Sequence, residues 1–250
     1  MKNDSLYPFV RPILFLCFWQ IGSTFQVVSP LFLPAPLSVI ESFIFGFASG
    51  AFLVDLGYTL SRVLISFLLA ASIGIPLGLI MGYSKKVYRI GEFPLEFSRS
   101  IPPSALFPLF LLLFGIGEPT KIAVAVWGAG LVILVHSYYG VRLGKDLRLR
   151  VAKTLKLRGV ALFTKAILPE ALPQIFSGLR IAISLCLMLI VVTEMFIGTT
   201  NGLGGRIMDA QLVYRSADMY AAIILTGTLG YFLNKALLAL EKRLIHWNGR

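Results

Sequence analysis

A chain of 250 residues, 57% of them hydrophobic and only 14% charged, with a mean hydropathy of +0.82, is too apolar for an ordinary soluble domain. Its formal net charge of +11 would direct a soluble protein to nucleic acid; here it asks on which side of a bilayer the cations lie, and nucleic acid is set aside as a partner. Cys17 and Cys186 both fall in apolar runs without a CxxC spacing, which excludes a disulfide framework or a cysteine zinc site and leaves two small core residues.

In chain order, the apolar runs predict six transmembrane helices, at 11–28, 58–83, 102–117, 121–141, 178–198 and 218–240. The expected fold is all-α and polytopic, a single transmembrane domain over residues 1–250. Lys2 and Arg11 precede the first run as they would in a signal peptide, but no small-x-small cleavage site follows, and an uncleaved helix is expected. Residues 29–57 contain neither Lys nor Arg; Pro30, Pro34 and Pro36 open the stretch, and Glu41, Gly46, Gly50 and Asp55 interrupt 37–56. A helix lying along the outer membrane surface is expected there, with a seventh span as the competing reading. In the second run Gly74, Gly78 and Gly82 share one helical face, so another helix can approach closely, within the chain or across a dimer, and Pro76 offers a kink. The third run begins under restraint from Pro102, Pro103 and Pro108 and stops at Gly115 and Gly117. Neighbouring helices must satisfy such a backbone, so this span is expected to be lined by protein. Glu194, with Met195 beside it, is the carboxylate inside an expected span. It is a candidate for the translocation path or gate, and equally a group one turn from the outer end at Gly198 that reaches water or a helix N-terminus.

Basic residues alternate from loop to loop. Lys2 and Arg11 lie at the N-terminus, Lys85, Lys86, Arg89 and Arg99 in the 84–100 loop, and Arg142, Lys145, Arg148, Arg150, Lys153, Lys156, Arg158 and Lys165 in the 142–177 loop. Lys235, Lys242, Arg243 and Arg250 lie towards the C-terminus, whereas the intervening loops hold Lys121, Arg206 and Arg215. The positive-inside rule therefore assigns both termini and the two basic loops to the cytoplasm. Arg62 and Arg180 fall near expected helix ends, where a long side chain snorkels to the interface. In the outer loops Glu118 balances Lys121, and Asp209 and Asp218 balance Arg206 and Arg215.

Motifs for chemistry are absent from the sequence. It has no GxxxxGK[ST], no GxSxG and no HExxH, and His136 and His246 stand far apart. What it does have is Arg150–Pro173, a basic amphipathic cytoplasmic segment ending in Leu168-Pro169 between apolar runs, a surface that a driving partner can grip.

The order of short motifs adds a resemblance. Leu33-Pro34-x-Pro36, Thr59-Leu60-x-Arg62, Gly74-Ile75-Pro76-Leu77-Gly78, Ile101-Pro102-Pro103-x-Ala105-Leu106-x-Pro108-Leu109 and Phe114-Gly115-Ile116-Gly117-Glu118 are followed by Leu168-Pro169-x-Ala171-Leu172-Pro173, Gly178-Leu179-Arg180, Glu194-Met195 and Gly202-Leu203-Gly204. In this, the chain resembles the permease subunits of ATP-binding-cassette importers, in the nitrate, sulfonate and taurine branch that also includes permeases for thiamine and pyrimidine precursors, from about Trp19 to Trp247. The resemblance implies a type I importer permease (MetI-like) fold in a homodimer set in lipid of the inner membrane. It also implies a small-molecule solute delivered by an extracytoplasmic binding protein, and cytoplasmic ATPase subunits that hold ATP and Mg while this chain binds no cofactor.

The segment within 142–177 would then be the coupling loop that docks on the ATPase. Its residues would be Arg150, Val151, Ala152, Thr154, Leu155, Lys156, Leu157, Arg158, Gly159, Leu168 and Pro169. Here the sequence departs from the family: Arg150, Val151 and Ala152 stand where Glu-Ala-Ala is usual, and Lys156 where glycine is usual, with Gly159 three residues on. The expectation is that Gly159 breaks the two short helices one turn later and that the ATPase presents an acidic cleft. Two other classes remain as alternatives. A secondary transporter would work without an ATPase and often has two related halves; an intramembrane enzyme would need paired polar groups within the spans.

Overall fold

The computed structural model describes residues 7–143, 152, 154, 156–198 and 201–245, and the ordered elements among them are helical. They are α1 (Tyr7–Thr24), α2 (Pro36–Ala48), α3 (Ala51–Tyr83), α4 (Lys85–Ser100), a 3-10 turn (Pro103–Leu106), α5 (Phe107–Phe114) and α6 (Glu118–Leu143). After the basic segment come α7 (Gly159–Leu162), a π-helical turn (Phe163–Ile167), α8 (Leu168–Ile197), α9 (Leu203–Leu212) and α10 (Ser216–Leu244).

Four of these are long and apolar enough to cross a membrane among the described residues: Ala51–Tyr83, Glu118–Arg142, Gly159–Ile197 and Ser216–Leu244. A fifth crossing exists only if Lys85–Ser100 and Pro103–Phe114, bent by 88° at the break between them, act as one. By length and composition alone, the described helices thus supply four or five of the six expected spans. The expected third span is a 3-10 turn plus the 8-residue α5, about 12 Å of helix against a hydrocarbon core of about 30 Å. The expected cytoplasmic loop at 84–100 is itself a helix. Ser84 caps it by accepting from the Val87 N–H at 3.4 Å, and Ile101-Pro102 stops it because a residue before proline avoids the helical region. The first run forms the 18-residue α1, in which Pro8, Arg11, Pro12 and Gln20 dilute the apolar character.

The stretch read as one outer helix over 37–56 divides at Ser49–Gly50. Gly50 has φ +76°, which closes α2 after 13 residues and lets α3 begin at Ala51, seven residues before the expected start of the second span. Thirteen residues span about 20 Å, too short for the competing seventh crossing. Helix α9, after the fifth span, has no counterpart in the sequence reading. Cys186 is buried, as expected, whereas Cys17 is exposed.

The chain divides into two compact units: Met1–Tyr58 with Glu194–Thr228, and Thr59–Thr193 with Leu229–Arg250. In the second, α3 and α6 meet along the glycine face. A Cβ built on Gly74 would lie 2.8 Å from the Gly130 carbonyl oxygen, one on Gly78 2.3 Å from that of Leu134, and one on Gly82 2.6 Å from Val141 Cβ. The partner of this stripe lies within the chain, and any larger residue would drive the two backbones apart. Val63, Ala70, Val124, Ala129, Ile133, Ala171, Ile183 and Ile190 are buried in this unit, while Leu68, Ile73, Leu112 and Phe232 are exposed, the outward apolar surface that lipid requires.

In the first unit, Phe43, Phe47 and Phe52 pack their rings with centroids 5.0–5.9 Å apart, and Phe52 lies so close to Gly46 that a Cβ there would meet its ring at 2.6 Å. Trp19 donates to the Pro34 carbonyl at 3.1 Å, and Tyr220 donates to the Phe32 carbonyl at 3.1 Å, so the proline-rich stretch after α1 is tied by side chains rather than by secondary structure.

Candidate functional site

The basic segment expected to serve as the coupling loop is built around two left-handed residues. Lys156 has φ +53° and Gly159 has φ +55°. The Leu157 N–H donates to the Ala152 carbonyl at 2.9 Å, the 6→1 bond of a Schellman helix end with Lys156 at the position that glycine usually takes. Ala152 is buried and Thr154, Lys156, Arg158 and Gly159 are exposed; Leu157 is half-buried. Arg150, Val151 and Leu155 lie outside the described residues. The expectation that Gly159 takes over the break is therefore revised. Lys156 itself adopts the glycine-like conformation, and Gly159 opens the following helix, with Arg158 extended before it.

From Gly159 the helix continues without interruption through the π turn to Ile197, 39 residues in all. Leu168 and Pro169 sit where the π turn passes into α8, inside the continuous helix, and Pro173 follows within α8. Two contacts hold the junction in its unit. A Cβ on Gly140 of α6 would lie 2.9 Å from the Ala171 carbonyl oxygen, so α8 lies directly on α6. The Phe163 ring meets Tyr83, the last residue of α3, edge-on with centroids 6.3 Å apart. Beside them Tyr88 stacks on Tyr138 at 5.0 Å, and Arg142 lies over the Tyr88 ring while donating to the Tyr138 hydroxyl at 2.6 Å. This aromatic cluster has no short-range signature, because its members come from different helices.

Glu194 is fully buried, and its Oε2 accepts the Gly204 N–H at 2.9 Å at the start of α9. Asp55, also buried, accepts the Gly202 N–H at 2.8 Å and forms an ion pair with Arg206, whose guanidinium lies over the Phe52 ring. Two carboxylates thus face the amide-rich end of one short helix, where a negative charge is stabilised by the backbone dipoles. Of the two roles open to Glu194 in the sequence, the geometry displays the helix-terminus contact; Met195 beside it is half-buried. The sequence reading missed Asp55, which registers there only as a polar interruption, and it set Asp209 and Asp218 against Arg206 and Arg215 only as a balance of charge. Asp218 does meet Arg215, at 3.4 Å.

Arg62 is the larger correction. It is 4% exposed and lies well inside α3, not at a helix end, because α3 starts at Ala51. Its Nε and Nη2 donate to the two Glu118 oxygens at 2.6 and 2.7 Å, and Lys121, 1% exposed, donates to the same carboxylate at 2.8 Å. A cation at that depth needs a counter-charge rather than snorkelling. Arg180 has partial access to solvent and lies 3.5 Å from Glu241. Among the described residues no group of His, Cys, Asp and Glu could hold a metal ion.

Comparison with known proteins gives this arrangement a family. The model of the binding-protein-dependent transport system inner membrane component matches residues 74–246. The chain is 31% identical over 237 residues to the putative aliphatic sulfonates transport permease protein SsuC of Bacillus subtilis (strain 168), across 94% of this chain and 85% of that protein. It is 32% identical over 239 residues to the taurine transport system permease protein TauC of Escherichia coli (strain K12), across 94% and 86%. A crystal structure of the MetNI methionine ABC transporter in an inward facing conformation shares the fold with a TM-score of 0.65 at 20% identity, over 76% of this chain and 94% of that one. The chain belongs to the family of binding-protein-dependent transport system inner membrane components, the transmembrane permeases of ATP-binding-cassette importers.

Proposed function

We propose that this permease works as a homodimer in the cytoplasmic membrane, with both termini and the basic segment inside, and carries a small solute of the sulfonate or taurine kind inward. A separate binding protein delivers the solute from outside. Cytoplasmic ATPase subunits, holding ATP and Mg2+, grip the segment between Arg150 and Pro169 and supply the energy; this chain does no chemistry on the solute. With Arg150 and Lys156 in that segment, the cognate ATPase presents acidic groups to it.

The observation that carries this reading is the uninterrupted 39-residue helix from Gly159 to Ile197. At 1.5 Å per residue it is about 58 Å long, so it outreaches the hydrocarbon core by roughly 28 Å. A displacement applied at the basic segment has no loop in which to dissipate before it reaches the span. The close Gly140–Ala171 contact passes it on to α6, as rigid-body switching requires. A secondary transporter has no use for such a handle.

The test is uptake of radiolabelled taurine into proteoliposomes containing the permease and its ATPase, with the binding protein added on the side opposite the ATPase. Uptake is expected only with both ATP and the binding protein. Accumulation driven by an ion gradient, with the ATPase omitted, would sink the reading and favour secondary transport.

A further inference from the structure

The break between α4 and the 3-10 turn opens beside a cavity of about 340 Å3 in the second unit, within the lower range of small-molecule sites. Irregular backbone at membrane depth is tolerated where protein or a cavity covers it, and Pro102 and Pro103 reduce the problem by bringing no N–H groups to the break. The walls include Ile101, Pro103, Val132 and Ile181, and the cavity's polar lining side chains are Arg99 and His136.

Both polar groups have a side-chain partner. Gln174 Nε2 lies 3.2 Å from His136 Nδ1; with the amide donating, the ring proton resides on Nε2, which remains a donor. A Cβ on Gly178 would lie 2.4 Å from His136 Cβ, so α8 can approach the histidine only because that position is glycine. On the other wall, Gly128 brings α6 close to Pro103: a Cβ there would lie 3.0 Å from its ring. Arg99 donates from Nη1 to the exposed Glu96 carboxylate at 2.7 Å, and the guanidinium has further N–H donors for a second anion.

We propose that this cavity is an anion-selective stop on the solute's route, with Arg99 and His136 holding the oxyanion head of a small organic anion and the apolar walls covering its body. The proposal rests on the permease reading above and gives its solute a binding site. A cation, a neutral imidazole donor and apolar walls suit a sulfonate or carboxylate with a short carbon body. An inorganic oxyanion would lose hydration on the apolar side with nothing in return, and a cationic solute would meet Arg99.

The probe is methanesulfonate, with uncharged dimethyl sulfone as its control. The full chain, assembled with its ATPase in phosphatidylcholine nanodiscs, carries Val132→Cys as a reporter in a Cys17→Ser, Cys186→Ala background. Alkylation of the reporter by N-ethylmaleimide is timed. At a Kd of about 1 mM, 10 mM methanesulfonate slows alkylation about tenfold, while dimethyl sulfone leaves it unchanged. Arg99→Gln and His136→Phe each remove the protection, and Arg99→Lys, the folded control, retains part of it. Equal protection by dimethyl sulfone, protection that survives Arg99→Gln, or protection by phosphatidylglycerol in place of methanesulfonate overturns the proposal. Taurine uptake by the same complex separates the two readings. Uptake without protection removes the stop and leaves the importer; protection without uptake removes the importer and leaves the anion site.

Discussion

Lys156 adopts a left-handed backbone conformation, φ +53°, that costs an L side chain roughly 1 kcal/mol relative to glycine. Gln26 and Tyr214, at φ +51° and +56°, end α1 and α9 the same way, with Val27 N–H donating to Gly22 and Arg215 N–H to Ala210 at 3.1 and 2.9 Å. Lys156→Gly is therefore expected to stabilise the turn by about 1 kcal/mol. Slower proteolysis across 152–159 in the purified protein would register this, and faster cleavage would count against the left-handed assignment. Glu118 presents the opposite case. Glu118→Gln leaves the buried Arg62 and Lys121 without their shared carboxylate; with the Glu118 side chain 51% exposed, the loss is about 2 kcal/mol, below that of a fully buried pair. A lowered thermal unfolding midpoint in detergent, partly restored by adding Lys121→Met, is the expected result. Neither feature is legible in the residues alone. The Lys156 turn looks in sequence like a lost glycine, and Arg62 meets a partner 56 positions away in a helix whose start hydropathy placed too late.

Helices with an unbroken apolar run were legible because length and periodicity alone define them: α3, α6, α8 and α10 all contain their expected spans almost entirely. The glycine spacing in α3 was legible as a packing face for the same reason, since positions four apart must align on a helix. Its partner was not, because nothing in a stripe of glycines names the helix that fills it. With a Cβ at Gly78 only 2.3 Å from a backbone oxygen, Gly78→Leu cannot be accommodated by a side-chain shift. A loss of at least about 3 kcal/mol is expected, as for severe overpacking, read as failure to recover monodisperse protein from detergent, whereas Gly57→Leu, with open space around it, is recovered normally. The broken α4–α5 pair and α9 were missed because prolines and glycines mark a discontinuity without giving the angle of the bend. At the start of α9, Glu194→Gln keeps an acceptor for the Gly204 N–H but loses the charge. It should cost about 1 kcal/mol and preserve transport per folded molecule, while Glu194→Ala should cost about 3 kcal/mol. Abolished transport in a stably folded Glu194→Gln would instead assign Glu194 to the solute path.

For the whole molecule, the sequence offers an expectation that the helices do not: the side of the membrane on which each loop lies. Charge bias reads orientation because moving cationic loops outward is opposed during insertion, and it is independent of whether the third run is a full span or a bent pair. The number of crossings was less legible, since hydropathy scores an apolar stretch such as 102–117 without registering that Gly115, at φ +74°, ends its helix after α5. The two are nonetheless linked. Lys86, in the basic 84–100 segment, and Gln211, in α9, are both exposed and offer single-cysteine reporters in a Cys17→Ser background, Cys186 being buried. If the basic segments are cytoplasmic, a membrane-impermeant maleimide applied to spheroplasts labels Gln211→Cys, and labels Lys86→Cys only after the membrane is opened. Labelling of Lys86→Cys in intact spheroplasts would invert the assigned orientation. Labelling of both positions from outside would mean that an odd number of crossings does not separate residues 86 and 211. The bent α4–α5 pair would then contribute no crossing of its own, because α6 and Gly159–Ile197 alone carry the chain out and back, whereas the expected opposite-side labelling needs the pair to cross.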